Sequence, residues 1–119
     1  MNEQKMFDAS LKHLRVQGEQ SLMLNGGTMC MYRGLKGKGC AFAPAIMEYD
    51  EQMESTSASE VLDQFNDNLY PRFRELEPAF ADQLQACHDI IPPDVDFAKE
   101  FELNMKQLAL TWKLEYVAQ

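Results

Sequence analysis

Residues 29–42 read MCMYRGLKGKGCAF, and the choice between hairpin and coil for this run decides the fold class. Thr28 to Arg33 and Gly39 to Ala43 are β-prone segments flanking a glycine-rich centre, which predicts two antiparallel strands. A three-residue loop, Leu35-Lys36-Gly37, closes them, with Gly37 in the left-handed bulge position. In that register Tyr32 lies opposite Cys40 and Cys30 opposite Phe42, so the two cysteines share a face but sit diagonally. Pro44 closes the second strand.

Working outward, the remaining chain has helical spacing. Met6 or Phe7, Leu11 and Leu14 predict a helix over about Glu3–Gln17, with Gly18 as its C-cap. SLMLNGGT, residues 21–28, fits a strand or an irregular extension that ends in a turn at Asn25-Gly26-Gly27. AIMEYDEQMESTSAS, residues 45–59, is acidic and then serine-rich, and reads as a loop. Ser57 and Glu60 form a capping box before Val61, Leu62, Phe65 and Leu69, a helix that Pro71 should end. Pro78 opens another, with Phe80, Leu84, Cys87 and Ile91 on one stripe before Pro92-Pro93 stops it. Phe97, Phe101, Met105, Leu108, Trp112 and Tyr116 share one helical face, capped by Asp94 or Asp96. The expected fold is α+β: a single domain over residues 1–119, with three to four helices packed on a small antiparallel hairpin or sheet.

Charge is distributed unevenly. Residues 1–40 hold six Lys or Arg against three Asp or Glu, whereas residues 41–102 hold three against fifteen, in a chain of net charge -8. Such a protein is a poor general ligand for nucleic acid, whose affinity comes from cations at phosphates. No apolar run approaches the roughly 18–20 residues of a membrane span, and the start, MNEQKMFDAS, has no leader pattern. Three cysteines without a framework read as reduced thiols. The expectation is a cytoplasmic protein without a membrane partner.

Candidate sites follow from this layout. Tyr32, Arg33, Gly34, Lys36, Gly37 and Lys38 would form an anion cradle, with backbone N–H groups of the glycine turn aided by three cations. The plainer reading is that the glycines shape the turn and the lysines keep an edge strand soluble. The run lacks the lysine and hydroxyl positions of a Walker A loop. No metal site is expected. Cys30 and Cys40 would be its first two ligands, and no second pair at ligand spacing completes a set of four. His88-Asp89 beside Cys87 invites a catalytic reading, but adjacent residues do not supply the geometry of a nucleophile, base and orienting acid. No catalytic motif is found, so the chain is read as non-enzymatic and without a cofactor. Glu48, Asp50, Glu51, Glu54, Asp63 and Asp67 mark a candidate acidic interaction face, with plain solubility as its competing explanation.

The chain carries the short motifs Gln17-Gly18, Cys30-Met31-Tyr32-Arg33-Gly34, Lys38-Gly39-Cys40-Ala41, Tyr49-Asp50-Glu51-Gln52-Met53-Glu54, Leu84-Gln85-Ala86-Cys87-His88-Asp89 and Trp112. Together they resemble a family of small bacteriophage and prophage proteins. The chain departs from that pattern after Ala41, where Phe42-Ala43-Pro44-Ala45-Ile46 stands in place of a Gly and an Ile-Pro-Asp. The resemblance implies a phage or prophage origin and brings no catalytic residues. The resulting expectation is a phage-type accessory protein that binds and inhibits a host protein, a defence or nucleic-acid-handling factor. The alternative is a protein that binds or sequesters a nucleotide or other small anion at the basic hairpin. The long apolar face of the last helix makes a homodimer a further expectation.

Overall fold

The computed structural model describes residues 2–18, 39–92 and 94–118, and all regular structure among them is helical. Helix α1 spans Asn2–Gln17, α2 Ala58–Gln64, α3 Pro78–Asp89 and α4 Phe97–Trp112. Short 3-10 turns at Ala43–Ala45, Glu51–Ser55, Asn66–Asn68 and Pro71–Phe73 carry the chain between them. The α+β expectation is therefore corrected to all-α. Among the described residues the closest approach to a sheet is one antiparallel bridge, Ile46 with Leu69. It is flanked by Tyr70 N–H donating to the Ala45 carbonyl (3.0 Å) and Met47 N–H to the Asn68 carbonyl (2.8 Å).

The correction falls on the second half of the expected hairpin, since its first strand and loop lie outside the described residues. Cys40 to Ala45 coil rather than extend: Ala43 N–H bonds to the Cys40 carbonyl and Ala45 N–H to the Phe42 carbonyl. Pro44 has no N–H to give a ladder and its fixed φ suits the 3-10 turn it sits in. Phe42 N–H, which a strand would have offered to a neighbour, is taken by the Gln85 side chain at 3.0 Å. A single side-chain amide thus replaces the partner strand.

The helix boundaries follow local chemistry. Gly18 takes the left-handed conformation (φ 68°), which other residues rarely adopt, and its N–H closes on the Leu14 carbonyl at 2.8 Å. Ser57 and Glu60 form a reciprocal capping box for α2. That helix stops at Gln64, well before Pro71, because the chain winds into the 66–68 turn and Leu69 is drawn into the bridge. Asp96 caps α4 by accepting from Lys99 N–H.

Packing is continuous from α2 through α3 to α4, while α1 lies against α4 and the turns at 43–45 and 71–73. Phe7, Phe42, Phe73, Phe80 and Phe101, with Met6, Met53 and Met105, are fully buried in one core. The aromatic stripe of α4 is consumed there: Phe97, Phe101, Met105 and Leu108 are all buried, and Trp112 meets Phe80 edge-on at 5.3 Å. Beyond Trp112 the chain leaves the helix through Lys113 (φ 55°), so Tyr116 is not helical. The segment after Lys113 runs back over α1. Gln4 and Glu115 exchange two hydrogen bonds, and Arg15 forms a two-pronged bond to Glu102 (2.7 Å each) and a third to the Val117 carbonyl. Among the described residues no helix is long and apolar enough to cross a membrane.

Candidate functional site

The residues that sequence reasoning singled out go to different places. Cys30, Tyr32, Arg33, Gly34, Lys36, Gly37 and Lys38 lie outside the described residues. Gly39, which follows them, is held firmly against α1. Gln17 accepts from its N–H (2.8 Å) and donates to its carbonyl (3.0 Å), and His13 Nε2–H donates to the same carbonyl at 3.2 Å.

Next to this clamp is a polar network inside the core. Gln85 and His88 project inward from α3, and His88 is fully buried. Asp89 Oδ1 accepts from His88 Nδ1 and from Gln85 Nε2, each at 2.8 Å, while the other end of the Gln85 amide holds Phe42 N–H. Cys40 is fully buried beside this network. Burial, then the Asp89 charge, pushes its thiol far above the ordinary range. The thiol Cys87 is pushed up to about 12, again by burial. Both therefore stay protonated at neutral pH, and a protonated, enclosed thiol is no nucleophile. The grouping of Cys40, His88 and Asp89 has the composition of a catalytic triad, with Cys40 and His88 fully buried and Asp89 open to solvent. Among the described residues, no group of three or more His, Cys, Asp or Glu side chains is arranged to hold a metal ion.

Outside the core, the same Asp89 reaches solvent and lines an open cleft of about 270 Å³ together with Glu54, Asp82, Gln85, Thr56 and Ser57. Each cleft carboxylate accepts a hydrogen bond: Glu54 from the Tyr49 hydroxyl, Asp82 from Ser59 N–H (2.8 Å), and Asp89 from both Gln85 and His88. Among the described residues, no Lys or Arg lines the cleft. Glu54 belongs to the acidic face expected from sequence. Glu48, Glu51, Asp63 and Asp67 are exposed elsewhere on the surface, and Asp50 caps the 51–55 turn by accepting from Gln52 N–H. Asp82 and Asp89 were missed, although 82, 85, 86 and 89 fall on one helical face and could have been read as a set.

The arginines of this acidic segment do not neutralise it. Arg74 donates to the backbone carbonyls of Leu69 and Asp67, and Arg72 lies over the rings of Tyr70 and Phe73 at 4.9 and 4.7 Å. The charge of these two guanidinium groups is directed at main chain and aromatic faces. No protein-family model, curated protein or solved structure matches this chain.

Two groups near this site make stability depend on pH in separate windows. Burial, opposed by the bond to Gly39 and assisted by the nearby His88, lowers the pKa of His13 below 6.5. The folded state therefore binds its proton less readily than the unfolded chain, and stability falls as pH drops below about 6.5. The bond from Arg15 lowers the Glu102 pKa below 4.5, and stability declines again as pH drops below that value. His13→Gln, which retains a donor for the Gly39 carbonyl, should abolish the first decline and leave the second. Urea titrations from pH 8 to pH 3 measure both.

Proposed function

We propose that this protein acts without catalysis, as a binding protein whose acidic cleft and surrounding surface receive lysine or arginine side chains of a partner protein. The observation that carries this reading is the cleft formed by Glu54, Asp82 and Asp89, three carboxylates brought to one concavity from the 51–55 turn and α3 and held there by hydrogen bonds. An acidic concavity raises the local concentration of basic groups and speeds their encounter. The partner class that fits is a protein with an exposed basic patch, such as a nucleic-acid-handling factor, whose groove an acidic surface can occupy. The phage resemblance, where it applies, makes that partner a host protein in the bacterial cytoplasm and the outcome its inhibition. The alternative, a small anion held by Arg33, Lys36 and Lys38, rests on residues outside those described.

The test compares Glu54→Gln/Asp82→Asn with the unchanged protein. Both substitutions retain hydrogen-bond acceptors while removing charge, so the fold should persist by circular dichroism. Binding of an octa-arginine peptide, followed by fluorescence anisotropy at low salt, should weaken about tenfold. A partner captured by the unchanged protein should be released by raised salt and lost from the variant. Equal capture by both proteins would remove the cleft as the binding site.

A further inference from the structure

The outer face of α4 is basic, in contrast to the carboxylate excess of residues 41–102 in which it begins. Lys99, Leu103, Lys106, Leu110 and Lys113 are spaced 4, 3, 4 and 3. At about 100° per residue the first four fall within an arc of about 60° along the helix, and Lys113 follows as its left-handed C-cap. They are exposed, Leu103 by 51% and Leu110 by 69%, while the opposite face of α4 is the one buried in the core. The stripe holds three of the five lysines among the described residues, and none of the three forms an ion pair with them. Glu102, at the margin of the arc, is already neutralised by Arg15 and hydrogen-bonded by Tyr116.

A repeat of seven with alternating leucine and lysine keeps its register along a second helix, as the seam of a two-stranded coil does. We infer that the outer face of α4 docks an amphipathic helix of a partner protein whose seam alternates aliphatic and acidic residues. Charge decides among occupants. Two copies of this stripe would set ammonium groups against leucine or against one another with no counter-charge, which is costly once solvent is excluded. An anionic membrane surface needs a broader apolar face than two leucines, and a chain of net charge -8 is repelled by it at range. An acidic helix meets both requirements: carboxylates opposite the lysines and aliphatic contacts for Leu103 and Leu110. This surface is separate from the carboxylate cleft, so the protein would present a basic helix face to one partner and an acidic cleft to another.

The experiment uses the full chain and a synthetic helix of about three heptads, with glutamate placed opposite each lysine and leucine opposite each leucine. A scrambled peptide of the same composition is the control. Titration followed by NMR should give saturable shifts confined to the exposed positions of α4. Lys99→Glu/Lys106→Glu/Lys113→Glu should weaken binding by about tenfold or more and transfer preference to a lysine–leucine peptide. The three side chains are solvent-exposed, and unchanged circular dichroism shows that the variant folds. Equal binding of the scrambled peptide, or no saturable shift, overturns the inference. So would sedimentation showing a dimer abolished by Leu103→Lys/Leu110→Lys, or binding to anionic vesicles lost from the triple variant.

Discussion

Phe42→Ala should lower the unfolding free energy by about 3–5 kcal/mol, the usual cost of deleting a fully buried aromatic ring. Phe42 is fully buried, and its backbone starts the 43–45 turn against which α1 packs. The ring therefore fills space in the core that the small side chains around it, Cys40, Ala41 and Ala45, cannot close. The magnitude discriminates between two architectures. On the expected hairpin, Phe42 would have been a cross-strand partner of Cys30, and such a pair is worth about 0.2–1 kcal/mol. Urea unfolding at pH 7, with the slope against denaturant unchanged and only the midpoint shifted, measures it. A loss below about 1 kcal/mol would return Phe42 to a half-exposed strand.

Gln85→Ala should cost about 1–3 kcal/mol, because it removes a buried acceptor that Phe42 N–H uses inside the core. The same change removes one of the donors to Asp89. Gln85→Glu is the sharper variant. It retains the acceptor for Phe42 but sets a second carboxylate beside Asp89 in place of a donor, so its protonated form is favoured in the fold. A pKa raised in this way gives stability that is present at low pH and lost as pH rises through the folded value. Gln85→Glu should thus recover toward the parent on acidification, while Gln85→Ala should not. Parallel pH series of urea midpoints for the two variants decide the matter.

These residues also mark where sequence reading succeeded and where it failed. The helices around Leu11, Leu84 and Phe101 were legible because each carries a run of apolar positions at helical spacing with a cap at one end. Gln85 was not singled out, since a glutamine on an amphipathic helix ordinarily faces water. Its role depends on Phe42, forty-three positions away, bringing its N–H within 3.0 Å of the Gln85 side chain. The β-prone composition of Gly39 to Ala43 was real, but Pro44 and the Gln85 amide offered this backbone a turn in which Phe42, Ala43 and Ala45 N–H groups are all bonded. The acidic face was foreseen as a composition, and its concentration into a cleft was not, because Glu54, Asp82 and Asp89 come from two segments joined only by packing.

Local sequence by itself determined the helices, the Ser57–Glu60 cap, the glycine stop at Gly18 and the excess of carboxylates over residues 41–102, since each depends on neighbours within about one turn of chain. Tertiary structure alone decided that Cys40 and His88 are enclosed in the core, that Arg72 and Arg74 turn to aromatic rings and backbone carbonyls, and that the chain after Lys113 is tied across α1 by Arg15. Those outcomes depend on which groups are brought together from distant positions and which are removed from water, and neither is encoded in any one stretch of the chain.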